Sequence, residues 1–150
     1  MQETIVFYAA AYQQLASISA VLGGLAFTAA AALLATGAGM NAPNALNPPA
    51  KITIVTAVVS AVGLIVAALM WSLMAADLSR LAIRPDETAA ARITNLNWLP
   101  SLAMLLGAVL FFASIGASGW IASRKLGWVT SVAGGLGVVA VVLMILLFSN

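Results

Sequence analysis

Apolar residues run along this chain in four long blocks that break only where charge falls. The uncharged runs cover residues 4–50, 52–76, 93–123 and 126–150. An α-helix rises 1.5 Å per residue, so about 20 apolar residues cross the roughly 30 Å hydrocarbon core of a bilayer. Each run is long enough for one crossing, and none comfortably holds two with a turn between them. The pattern predicts an all-α, polytopic integral membrane protein. A single domain over residues 1–150 carries four transmembrane helices, at about 16–37, 52–75, 98–118 and 127–148. An even number of crossings returns both termini to one side.

The first helix is expected over about residues 3–36, roughly 51 Å long and more than the bilayer needs. Tyr8, Tyr12, Gln13 and Gln14 place its first third at the interface or in water. Gly37, Gly39 and Asn41 should end it, because glycine and asparagine suit a helix C-terminal cap. Residues 40–49 hold three prolines and three asparagines and read as a loop. The second helix opens at Lys51 or Ile52 with a β-branched run, and in lipid only a helix satisfies that backbone. It should continue past Trp71 to Arg84, where Pro85 blocks it. The first two helices would then overshoot the bilayer on the same side. Asp86 can cap a short helix through Arg92, Pro100 falls in a first helical turn, and residues 119–126 make a short turn between helices three and four.

Composition narrows the function classes. The chain is 63% hydrophobic and 7% charged, with a mean hydropathy of +1.10. Ordinary soluble domains are about a quarter charged, so soluble enzymes, nucleic-acid binders and disordered linkers are excluded. Six basic residues and four acidic ones give a net charge of +2. The basic residues read as anchors flanking the spans, with the lipid bilayer as the first partner. The absence of cysteine and histidine removes disulfides, thiolate and imidazole metal sites, haem ligation by His, and Cys or His catalysis. No catalytic, cofactor-binding or metal-binding residue is expected. The N-terminus lacks the basic leader of a secretory signal, so the first span is expected to stay in the mature protein. At the other end the chain is expected to stop as it leaves the bilayer.

The clearest candidate feature lies in the first span. Stepping by four from Tyr12 gives Ala16, Ala20, Gly24, Thr28, Ala32 and Thr36, all small. Residues four apart share a slowly drifting helix face, and small faces let membrane helices approach closely. A parallel row of Ser19, Gly23 and Phe27 widens the strip. Two readings follow. The strip packs against the chain's own spans, or several copies meet round an axis and Ser17, Thr28 and Thr36 line a narrow lumen that gates by dewetting. Lesser versions occur at Ala103, Gly107, Phe111 and Ile115 and at Gly134, Gly135 and Gly137, where close packing is the expectation. Asp77, Arg80 and Arg84 form a candidate ion-pair set on the extension of helix two.

No charge falls at mid-depth, so the embedded carboxylate of a proton-coupled four-span exporter and the acidic ring of a divalent-cation filter are both missing. Residues 15–27, Leu-Ala-Ser-Ile-Ser-Ala-Val-Leu-Gly-Gly-Leu-Ala-Phe, resemble the start of the pore helix in Orai-type calcium channels. Those are also four-span chains whose first helix extends into the cytosol. The resemblance covers about a dozen residues, and the acidic filter residue of that family has no counterpart. It implies an oligomer built around helix one.

The expected function is therefore a homo-oligomeric channel or pore-type assembly with the first helix nearest the axis. The alternative is a non-catalytic accessory subunit that docks another membrane protein through the same strip. An intramembrane enzyme would need groups this chain lacks. Orientation rests on a tie, Arg80, Arg84 and Arg92 against Lys51, Arg124 and Lys125. The proline-rich first loop suits an outer face, which puts the termini in the cytoplasm of a multi-pass cell-membrane protein.

Overall fold

A computed structural model describes residues 2–37, 40–42, 45–83, 93 and 95–148, with side chains placed over 5–37, 46–83, 93 and 95–143. Four long helices account for nearly all of it: α1 (Gln2–Thr36), α2 (Pro48–Leu81), α3 (Trp98–Ala122) and α4 (Arg124–Phe148). All four are long and apolar enough to cross a membrane, so the chain is an all-α, multi-pass membrane protein.

Local chemistry sets the helix ends. α1 stops where Gly37 adopts φ 63°, a left-handed conformation that glycine reaches without a Cβ clash. α2 begins at Pro48, three residues before the Lys51 start expected from sequence. Pro48 and Pro49 occupy the first two helical positions, whose N–H groups have no partner inside the helix, so nothing is lost. Asn47 caps this end, its Oδ1 accepting from the Ala50 N–H at 2.9 Å. At its other end α2 stops at Leu81 rather than Arg84, and Ala82 and Ile83 form a turn. The short helix expected after Asp86 lies outside the described residues, as does Arg84.

Two connections differ from expectation. The stretch between α1 and α2 is not wholly irregular: β1 (Met40–Ala42) pairs antiparallel with β2 (Ala45–Leu46). The α3–α4 connection is tighter than the sequence suggests. Ser123 alone leaves the helical conformation, with extended backbone, and its Oγ accepts from the Leu126 N–H to cap α4.

The helices pack in chain order as antiparallel neighbours. α1 lies on α2, α2 on α3 and α3 on α4, while α1 touches α3 only lightly. α2 is the spine of this open bundle. Its buried positions, including Ala57, Ser60, Ala61, Leu64, Ala67 and Ala68, are mostly small. Gly23 of α1 comes against Ala61 and Leu64, and Gly107 of α3 comes against Leu64 from the other side. Ser60 donates across to the Gly107 carbonyl at 2.7 Å. Without a hydrophobic drive between helices in lipid, this close approach and the hydrogen bond supply the attraction.

Tyr12, Trp71 and Asn97 mark one level of the bundle. The Tyr12 and Trp71 rings lie 4.8 Å apart, and the Tyr12 hydroxyl donates to Asn97 Oδ1 at 3.3 Å. Beyond that level α1 and α2 each continue for ten residues, about 15 Å. The overshoot of both helices on one side is thus built into the fold. On α3, Trp98 and Trp120 stand 22 residues apart, about 33 Å, which matches a hydrocarbon core with an aromatic residue at each edge.

Candidate functional site

The structure divides the small residues of α1 into two sets. Ala16, Ser19, Gly23, Ala26 and Ala30 are buried, facing α2. Their spacing alternates between three and four, which keeps a helical stripe on one face. Of the four-step series, only Ala16 belongs to that stripe. Ala20, Gly24, Thr28, Ala32 and Thr36 are exposed, as is Ser17.

Geometry explains the split. At 3.6 residues per turn a four-residue step overshoots a full turn by about 40°. Five such steps from Ala16 to Thr36 carry the series about 200° round the helix, so it is a spiral rather than a face. It leaves the α2 interface at Ala16, crosses the flank away from α3 at Ala20 and Gly24, and passes opposite α2 at Thr28. It returns at Ala32 and Thr36 on the side turned towards α3. The parallel row splits too: Ser19 and Gly23 are buried, whereas Phe27 is exposed.

The middle of this spiral is open. A methyl group built at Gly24 meets nothing within 4 Å, in contrast to Gly23 next to it, where Ala61 and Ile65 stand at 3.3 and 3.2 Å. The end of the spiral borders a groove of about 540 Å³ between α1 and α3, floored by Thr53 and Ala57 of α2 and walled by Ala32, Thr36, Phe111 and Ser114. Its existence follows from the fan of the helices, since α1 meets α3 near Tyr12 and Asn97 and parts from it towards the other end.

The hydroxyls of the strip bond to their own helix. Ser17 donates to the Gln13 carbonyl at 3.0 Å, Thr28 to Gly24 at 2.8 Å and Thr36 to Ala32 at 2.8 Å. In the groove Thr53 and Ser114 do the same, to Pro49 and Phe111. A serine or threonine that satisfies itself in this way can face lipid or a second helix at little cost. What it keeps for a lumen is acceptor capacity, not a free donor.

On the α2 extension, Arg80 Nη1 lies 3.9 Å from Asp77 Oδ1, at the expected spacing of three. The two ends differ: the Asp77 side chain is 16% exposed and that of Arg80 83%. Arg84, the third member of the expected set, lies outside the described residues. Asp77 also borders a hollow with Met70, Met74, Ile93 and Leu96, where α2 meets the segment leading into α3.

Sequence reasoning missed a polar knot between α3 and α4. The Gly116 carbonyl accepts from Thr130 at 3.0 Å and Ser131 at 3.3 Å, and Trp120 Nε1 donates to Ser131 at 3.0 Å. The available signal was a Thr-Ser pair on one helix and glycines on the next, on either side of a short turn. Ser19 Oγ and Trp71 Nε1 are buried with no hydrogen-bond partner among the described residues.

Compared with known protein families, curated proteins and solved structures, the chain matches none.

Proposed function

We propose that this chain forms a homo-oligomeric channel or pore-type assembly in the cell membrane, with α1 nearest the symmetry axis and both termini in the cytoplasm. The observation that supports it is the open strip at Ala20, Gly24 and Thr28. These are close-packing residues left uncovered by the chain's own helices, with free space above Gly24. A four-step ridge inclines to the helix axis, so two such ridges cross at an angle and meet over a few turns. The contact between copies therefore centres on Ala20 to Thr28 rather than running the length of the helix.

A second reading has its own support. Because the strip's hydroxyls are turned onto their own carbonyls, the same surface suits a different membrane protein as well as another copy. In that reading the chain is a non-catalytic accessory subunit.

The lack of native cysteine makes the test clean. Single cysteines at Ala20, Gly24 and Thr28, oxidised mildly in membranes, should give disulfide-linked dimers, since bridging needs Cα atoms within about 7 Å. A cysteine at Ala26, buried against α2, should give none. Vesicles holding only this chain should then pass a small ionic tracer. Absence of crosslinks at all three positions overturns the oligomer. Crosslinks without flux, together with a copurifying stoichiometric partner, replace the channel with the accessory subunit.

A further inference from the structure

The two ends of the bundle differ in charge. The end holding the first loop and the α3–α4 turn carries Lys51, Arg124 and Lys125, all exposed, and the sequence places no acid there. The chain elsewhere mixes Arg80, Arg84 and Arg92 with Glu3, Asp77, Asp86 and Glu87. Only one leaflet's headgroups therefore meet charge of uniform sign.

A groove of about 420 Å³ begins at this cationic end, between α2, α3 and α4. Pro49 and Ile52 stand at its mouth on either side of Lys51 in the chain, and Trp120 four residues before Arg124. From there Ala117, Ser131 and Gly135 lead inward to Val138. Val138 is 14 residues along α4 from Arg124, about 21 Å at 1.5 Å per residue. One leaflet of a roughly 30 Å core is about 15 Å deep, so the groove spans the reach of a single acyl chain. Small residues keep it open; a methyl at Gly135 meets nothing within 4 Å. Its polar atoms are spent, with Ser131 accepting from Trp120 and donating to Gly116. The inner groove thus suits hydrocarbon, while the three cations lie at the same end of the bundle, exposed and outside the groove's lining.

We infer that the groove between α2, α3 and α4 is a binding site for an anionic phospholipid, its headgroup held by Lys51, Arg124 and Lys125 and an acyl chain lying along Ala117 and Gly135. Charge complementarity selects the lipid: basic pockets between membrane helices attract anionic headgroups, and a zwitterionic headgroup gains little from three uncompensated cations. The inference does not depend on the strip of α1, which lies on a different helix.

The test uses the full chain in vesicles of phosphatidylcholine and phosphatidylglycerol, with brominated acyl chains on one lipid or the other to quench tryptophan. A Trp98→Phe background removes the exposed indole at the far end. Trp71 is 4% exposed and shielded, leaving Trp120 and Trp128 as reporters. Brominated phosphatidylglycerol should quench several-fold more effectively than phosphatidylcholine at equal mole fraction. Each of Lys51→Gln, Arg124→Gln and Lys125→Gln should lower that relative affinity about fivefold until parity is reached. Gly135→Leu, which fills the groove and leaves the charges in place, should also lower it. Raising salt from about 0.05 to 0.5 M should weaken the preference in the parent chain, where no variant can have misfolded. Equal quenching by the two lipids, or a preference that survives both salt and the triple glutamine variant, overturns the site. A preference lost with the charges but unaffected by Gly135→Leu also overturns it, leaving a diffuse surface attraction.

Discussion

Gly134 and Gly135 are neighbours on α4, yet alanine at each should act in opposite directions. A Cβ on Gly134 would stand 2.5 Å from the Phe112 carbonyl oxygen and 3.2 and 3.3 Å from the Gly116 N and Cα. All three are backbone atoms of α3, so no side chain can swing aside. Comfortable contacts lie near 3.5 Å, so the helices must part by about 1 Å, and overpacking of this kind costs about 1–3 kcal/mol. The same movement stretches the bonds from Thr130 and Ser131 to the Gly116 carbonyl, worth about 0.6 kcal/mol for an average interhelical bond in a membrane protein. A Cβ on Gly135 meets nothing within 4 Å. Both substitutions gain the same helix propensity, about 0.5–1 kcal/mol. That gain cancels between them, and the expected gap is the strain plus the hydrogen bond, about 1.6–3.6 kcal/mol. Gly134→Ala should therefore be destabilised and Gly135→Ala slightly stabilised. Unfolding in mixed micelles by titration with a denaturing detergent, followed by circular dichroism, measures the gap. Variants that agree within about 0.5 kcal/mol would refute the close α3–α4 crossing.

Two smaller effects follow from the same geometry. Ser60→Ala removes the 2.7 Å bond from α2 to the Gly107 carbonyl and should cost about 0.6 kcal/mol, at most about 1.7, in the same unfolding titration. Arg80→Ala should change stability by less than about 0.5 kcal/mol, because its contact with Asp77 is long and the arginine is largely in solvent; a larger loss would mean that Arg80 holds the α2 extension in place.

The number of spans, their order and the overshoot of α1 and α2 were legible because they rest on length and charge placement, which lipid enforces strictly. The Gly37 terminus was legible for a similar reason, since a left-handed backbone suits few residue types. Helix starts were harder. Pro48 and Pro49 read as breakers, yet at the first two helical positions proline lacks only an N–H that would go unused, and Asn47 supplies the cap. The strip of α1 was legible in its composition, but not how far its drift carries it from α2. At about 40° per four-residue step the series turns away from α2 within two turns, and only the alternation of three and four followed by Ala16, Ser19, Gly23, Ala26 and Ala30 stays against it.

Where α2 crosses the membrane, its exposed positions from Ile52 to Leu69 are all valine, isoleucine or leucine, while alanine and serine dominate its buried ones. Size sorts the two faces, as expected when lipid tails are as apolar as any side chain and only backbone proximity rewards a contact. α1 breaks that sorting. Its buried seam is small, but its outer surface also carries Ala20, Gly24, Thr28, Ala31 and Ala35 beside Val21, Leu25 and Phe27. A helix meant only for lipid has no use for such residues, because alanine and glycine offer acyl chains less surface than leucine does. Unlike the small residues that open the groove between α2, α3 and α4, these lie on an outer face, where close approach of another backbone is the use that fits them. This contrast between α1 and α2, more than any single residue, is the reason to seek a second helix on α1.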